Sequence, residues 1–287
     1  MIEVGCLVYL TEKPYECIRH AALDLGFRCG QLSVWDMSLY SKENADIIKK
    51  ACEEFDFTIT AVWCGWSGPE EWNYPNMYNT IGLVPAAWRS QRVKELLEGA
   101  AFAQMLGVKN IITHIGYMPD NPYDQTHVEV VQAARYICKK IAQAGQRFLF
   151  ETGEMIPSTL IQFILEIGEE NVGVNFDTAN MIINARANSA DALNMLVPYV
   201  YGMHAKDAVY PQGTSPKGKE VKIGTGAANF PVLLRILSEN GYDGSITIER
   251  EIKEVEQREK DILESKVFLE NIICEVEKEK CLSKKES

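Results

Sequence analysis

Short apolar runs that end in turn residues alternate with stretches of helical period along almost the whole chain. The first run covers about Ile2–Tyr9, and a helical stretch follows from about Pro14 to Leu25. Gly30–Trp35 and Thr58–Cys64 predict the next two strands. Between them lies a helix over about Lys42–Phe55, whose Ala45, Ile48, Ala51 and Phe55 recur near the 3.6-residue period. Five further strands are expected: Asn110–Gly116, a run through Leu149 to Glu151, Val172–Asp177, Val200–Asp207 and Ser245–Glu249. Helices are expected over about Gln91–Met105, Thr126–Ala144, Pro157–Ile167, Ala190–Leu196, Phe230–Glu239 and Val255–Lys278. Pro157 suits the first turn of its helix, where the missing N–H costs nothing.

Eight strands, each followed by a helical stretch, are the pattern of an α/β (β/α)8 TIM barrel. A doubly wound open sheet competes, but the count of eight and the polar residues at the strand ends favour the barrel. No linker-like composition shift or internal repeat divides the chain. It reads as one domain over residues 1–278, with a polar C-terminal tail, 279–287, expected to fray.

Several strand ends carry a charged or imidazole side chain. FLFETGE reaches Glu151, VGVNFDTAN reaches Asp177, YVYGMHAKD reaches His204 and GSITIERE reaches Glu249. A charge at the end of a buried strand is costly unless something pairs with it. Singly, each has an ordinary reading: a carboxylate capping a loop, or a satisfied core histidine. Jointly, the ends of four consecutive barrel strands converge on one side of the mouth, where such barrels place their chemistry. Three carboxylates and one imidazole suit one divalent metal, with Mn2+ first and Mg2+, Co2+ or Zn2+ as alternatives. Structural zinc prefers sulfur and nitrogen.

Other residues are secondary candidates for substrate contact. His114 ends strand 4 in the run THIG and faces substrate oxygens or bonds to a metal ligand. Lys206 and Asp207 lie just past His204, either touching substrate or forming an ion pair that orients the loop. The long segment from Gly65 to about Ser90 holds Trp66, Trp72, Tyr74, Tyr78 and Trp88. These rings either stack on the apolar face of a sugar, Trp66 foremost, or pack the loop onto the barrel rim. Lys217, Lys219 and Lys222 read as a solvated loop, with a phosphate-gripping loop as the sharper reading. Gly224-Thr225-Gly226 lacks the strand-before, helix-start context of a dinucleotide fingerprint and reads as a tight turn.

Composition narrows the class. The 287 residues carry a net charge of -11 and no strong basic patch, which argues against a nucleic-acid partner. No run of about 18 apolar residues predicts a membrane span, and the N-terminus reads as a strand, not a signal peptide. The eight cysteines form no C-x-x-C pair, and their scatter fits a reducing cytoplasm. The loop aromatics are compatible with a homo-oligomer.

The segments ending in Glu151, NFDTAN, HAKD, the run Gly224–Phe230 and YDGSITIERE together resemble the sugar phosphate isomerase/epimerase family of xylose isomerase-like barrels. The likeness covers roughly strand 5 to the start of the last helix. It implies that Glu151, Asp177, His204 and Glu249 bind one divalent metal, and that Glu151 and Glu249 flank a carbohydrate substrate as acid/base groups. The implied reaction is isomerisation or epimerisation of a sugar or keto-sugar, by proton abstraction beside a carbonyl through a metal-stabilised enediolate. Two positions depart from epimerases of the family. Asn180 stands where they commonly have a histidine, and Pro157 where they often have a glutamate, with Glu154 the nearer carboxylate. Both changes touch substrate contacts and leave the metal set intact.

The same machinery would serve a lyase or dehydratase acting on a keto-sugar, keto-glycoside or keto-inositol. A metal-dependent endonuclease on this barrel would use several metals and many histidines, whereas this chain has four histidines and an acidic balance. A non-catalytic sugar-binding barrel would have no use for both glutamates.

Overall fold

The structure, a computed structural model, describes residues 2–286, with side-chain surroundings through Leu282. Eight parallel strands close into a barrel in the order β1-β10-β7-β6-β5-β4-β3-β2. They are β1 (Glu3–Tyr9), β2 (Cys29–Val34), β3 (Thr58–Cys64), β4 (Asn110–Thr113), β5 (Arg147–Glu151), β6 (Val172–Asp177), β7 (Val200–Ala205) and β10 (Ser245–Ile248). Two further strands, β8 (Asp207–Val209) and β9 (Lys219–Val221), pair antiparallel in a separate hairpin. Nine α-helices are described: α1 (Pro14–Arg19), α2 (Lys42–Phe55), α3 (Ala86–Leu106), α4 (Gln125–Ala142), α5 (Pro157–Ile167), α6 (Asn180–Ile183), α7 (Ser189–Leu196), α8 (Phe230–Glu239) and α9 (Val255–Glu286).

The strands form where both faces can be covered. Every residue of β2 and β6 is buried, as expected of parallel strands enclosed by helices on one side and barrel filling on the other. The main apolar layer lies between strands and helices and includes Ile18, Leu32, Ile48, Phe102, Phe163, Leu193 and Leu237. A smaller cluster joins Ala61, Trp63, Ile112 and Leu149 of the strands to Trp66, Met77, Ile81 and Tyr117 of the loops. Helix starts follow local chemistry. Ser41 accepts the Asn44 N–H ahead of α2, and Asn188 accepts the Ala190 and Asp191 N–H groups ahead of α7.

Register places the site. Asp177 lies opposite His204 across β6 and β7, and His204 lies opposite Thr247 across β7 and β10. Glu249 is one residue past β10, and its N–H still donates to the Ala205 carbonyl.

Besides the short helix α6 and the β8–β9 hairpin, which the sequence did not predict, four elements have other bounds than expected. Helix α3 begins at Ala86, because Pro85 ends the extended loop, so Trp88 is helical. Strand β4 stops at Thr113, where the chain turns to receive the Leu83 N–H on the Ile115 carbonyl, so His114 stands just beyond the strand. Strand 7 breaks at Lys206, whose N–H and carbonyl both bond the Thr178 hydroxyl, and β8 starts after the break. The last helix continues to Glu286 and takes in the polar stretch from Glu279 that was expected to fray; Lys280 Nζ donates to the Ser238 carbonyl at 2.6 Å. Among the described residues no helix is long and apolar enough to cross a membrane.

Candidate metal centre

Strands β5, β6, β7 and β10 bring Glu151, Asp177, His204 and Glu249 together, all buried, with one ligand atom from each within 4.8 Å of the others. His204 Nδ1 lies 3.2 Å from Glu151 Oε1 and 3.1 Å from Glu249 Oε2. Its Nε2 lies 2.8 Å from Gln31 Oε1. Asp177 Oδ1 accepts the Ala179 and Asn180 N–H groups at 2.7 and 2.6 Å, which fixes the carboxylate at the start of α6. Thr152 bonds both the N–H and the carbonyl of Asp177 and ties β5 to β6.

Two atoms test whether this set fits a cation. Asp177 Oδ2 is buried with no hydrogen-bond partner among the described residues. Glu249 Oε2 likewise makes no hydrogen bond, although His204 Nδ1 and Lys206 Nζ stand 3.1 and 3.5 Å away. Orphaned buried carboxylate oxygens are costly, and a divalent cation at their meeting point would satisfy them. The residues present fit such an ion.

The protonation balance of the cluster is shifted throughout. Burial pushes the Asp177 carboxyl up to about 8, assisted by the neighbouring Glu249 and Glu151 charges. Burial works the same way on Glu151 and Glu249, but cationic neighbours win and hold both below the usual carboxylate range. These are His204 and His114 for Glu151, and Lys206 and His204 for Glu249. Burial would lower His204, yet the two glutamates hold its protonated form well above the ordinary range. The protein without metal therefore keeps protons in this cluster that a cation must displace.

A cavity of about 210 Å³ opens onto the cluster. Of the residues expected at the site, Glu151, Glu249, His114, Glu154, Asn180 and Lys206 line it. Asp177 and His204 sit behind this lining. His114 Nδ1 lies 2.7 Å from Glu154 Oε1 and its Nε2 3.6 Å from Glu151 Oε1. Despite burial, the two carboxylates raise its pKa to about 9. Asn180 donates to Glu151 Oε1 at 3.2 Å. Lys206 is buried and pairs with Glu251 and Glu249.

Two of the residues expected to touch substrate, Trp66 and Asp207, are also absent from the lining. Trp66 is 4% exposed and lies behind Trp63 and Trp35, with the Arg92 guanidinium over its ring. The aromatic loop thus divides: Trp66 packs, and Trp72 reaches the cavity. Asp207 forms no ion pair with Lys206. Its carboxylate accepts four backbone N–H groups, from Ala208, Gly224, Gly226 and Ala228, and closes the turn below the hairpin.

The cavity wall also includes Trp63, Trp35, Lys217 and Glu251, to which the sequence assigned no place at the site. Trp63 Nε1–H donates to Glu151 Oε2, and Trp35 packs beside it. Lys217 at the hairpin tip donates to the Trp72 carbonyl at 2.9 Å, and Glu251 holds Lys206. Trp63 points into the barrel from β3 beside Ala61, but the run Ala61–Cys64 is apolar throughout and does not mark which positions face in. Lys217 belongs to the basic loop for which the sequence offers solvation or a phosphate grip; here it reaches the Trp72 carbonyl instead.

With this geometry in hand, comparison with known proteins defines the class: the chain belongs to the xylose isomerase-like TIM barrel family, matched over residues 19–272. A xylose isomerase domain protein from Planctomyces limnophilus has a similar structure, with 29% identity, a TM-score of 0.89, and coverage of 96% of this chain and 99% of that one. An uncharacterized protein from Methanocaldococcus jannaschii is 29% identical over 203 residues, 66% of this chain and 65% of the relative, so a little under two thirds of that relative's length is matched. An L-ribulose 3-epimerase shares the fold at 14% identity, with a TM-score of 0.75 over 99% of this chain and 98% of that one. Other structures of this fold include sugar epimerases, a probable dehydratase and a magnesium complex. At such low identity these are likenesses of fold.

Proposed function

We propose that this protein is a divalent-metal-dependent isomerase or epimerase that moves a proton on a carbon beside the carbonyl of a sugar or keto-sugar. The observation that carries the proposal is the pair Glu151 and Glu249. Both belong to the four-residue cluster, both line the cavity, and they approach His204 Nδ1 from two different strands. Mn2+ is the preferred ion because the donors are three carboxylates and one imidazole. Bound there, it would polarise the carbonyl and offset the charge left when the neighbouring carbon loses its proton.

The chain's own groups do the rest. One glutamate removes the proton and the other returns it: to the opposite face for epimerisation, or to the adjacent carbon for isomerisation. Trp63 holds Glu151 through its indole N–H, and Lys206 holds Glu249 in its ionised form. His114 and Glu154 present polar groups to substrate hydroxyls from one wall, and Trp63 and Trp72 offer apolar faces to the ring. Lys206 supports a dehydratase reading as well, since an ammonium in the cavity wall can donate a proton to a departing hydroxyl.

Elemental analysis of purified protein combined with a solvent-deuterium exchange screen over ketoses, keto-glycosides and inososes tests both readings. Exchange without loss of water supports isomerase or epimerase chemistry, and exchange with elimination supports the dehydratase. No exchange on any of them by metal-loaded protein would contradict both.

A further inference from the structure

Gln31 lies on β2, a strand that contributes no member of the four-residue cluster, and it is 1% exposed. Its amide spans the barrel interior between two partners. Nε2 donates to Asn175 Oδ1 on β6 at 2.9 Å, and Oε1 stands 2.8 Å from His204 Nε2 on β7. We infer that Gln31 is a positioning residue for the cation, fixing which nitrogen of His204 is free to bind it. The inference rests on the metal-dependent reading above.

The argument is one of donors and acceptors. With its N–H2 end committed to Asn175, Gln31 presents only its carbonyl oxygen to His204. A carbonyl accepts, so the ring proton belongs on Nε2. A neutral imidazole with a proton on Nε2 has its lone pair on Nδ1. Nδ1 is the nitrogen that faces the cluster, close to both glutamates. The reverse arrangement, with both amides turned round, would set an N–H2 group against Nε2 and leave the proton on Nδ1, where a cation forbids it.

A second observation is independent of the hydrogen bonds. Residue 202 on β7 is glycine, and a Cβ there would meet Asn175 Oδ1 at 2.5 Å and approach Gln31 Nε2 to 3.4 Å. The strand gives up a side chain at the spot where the Gln31–Asn175 pair crosses the interior.

The test is the Mn2+ dissociation constant of wild type, Gln31→Met and Gln31→Glu, read from the electron paramagnetic resonance of free Mn2+, with circular dichroism confirming the fold. Methionine fills a similar volume and offers only a weak thioether acceptor in place of the carbonyl, and affinity falls about 10–100-fold, as when other outer partners of metal-bound histidines are removed. Gln31→Glu holds affinity at wild-type level or above, since the new carboxylate accepts from Nε2–H. Asn175 then turns its Nδ2, which has no hydrogen-bond partner among the described residues, to donate to the other carboxylate oxygen. A purely packing role for Gln31 would not restore binding in the glutamate variant. Gln31→Met within threefold of wild type, or Gln31→Glu as weak as Gln31→Met, would overturn the inference while leaving the metal site in place. Wild-type protein that binds no Mn2+ would overturn the metal-dependent reading, and this inference with it.

Discussion

Replacing Asp207 by alanine should destabilise the fold without touching the metal site. The carboxylate collects four N–H groups: Ala208 and Ala228 on Oδ1, Gly224 and Gly226 on Oδ2, all at 2.9–3.0 Å. Ala208 and Ala228 are buried, whereas the bonds from Gly224 and Gly226 are only partly covered and can be replaced by water. An unsatisfied buried donor costs about 1–3 kcal/mol, so the two buried amides together cost about 2–6 kcal/mol. Returning a buried carboxylate's desolvation penalty offsets part of this, leaving a net loss of about 3 kcal/mol for Asp207→Ala. Asp207→Asn keeps one carbonyl for the buried pair but turns an N–H2 group towards Gly224 and Gly226, so it should cost about half as much. Urea unfolding followed by tryptophan fluorescence measures both, and a Mn2+ titration of each variant supplies the control. An Asp207→Ala protein within about 1 kcal/mol of wild type would refute the reasoning. Stability retained with metal affinity lost would return Asp207 to the site.

Other outcomes follow from the same geometry. Glu151→Gln and Glu249→Gln should each abolish deuterium exchange into substrate with circular dichroism unchanged; near-wild-type exchange in either would remove the acid/base assignment. Mn2+ affinity should fall as pH drops below about 8. There the raised Asp177 carboxyl carries a proton the ion must displace, at about tenfold per pH unit for each proton displaced. Titration calorimetry at pH 8 and pH 6 reads this, and a flat profile would contradict it. Arg92→Lys should loosen the aromatic loop, because the buried guanidinium donates to the carbonyls of Ser67, Pro69, Thr80 and Gly82, which an ammonium cannot all reach. Faster limited proteolysis between Gly65 and Pro85 is the expected readout; an unchanged rate would count against it.

The barrel was legible because each strand is a short apolar run closed by turn residues, and the four cluster residues were legible because they interrupt that pattern at its end. Gln31 and Trp63 were not, since an inward side chain inside an apolar strand looks the same whether it packs or orients a ligand. Asp207 was misread because its partners are backbone amides in a turn formed later in the chain, which no local pattern announces. His114 was placed on a strand because THIG continues the apolar run, while the ladder ends at Thr113 when the β3–α3 loop pairs with Ile115. Helix α6 was missed because Asn180–Ile183 is a single turn, started by the Asp177 carboxylate and too short to show a period.

The most direct test is anomalous diffraction at the manganese edge from crystals grown with Mn2+. One strong peak among the side-chain tips of Glu151, Asp177, His204 and Glu249, with His204 bound through Nδ1, is the predicted result. A cluster that stays empty at saturating Mn2+, or an ion held elsewhere while these four side chains bond only to one another, would contradict the account.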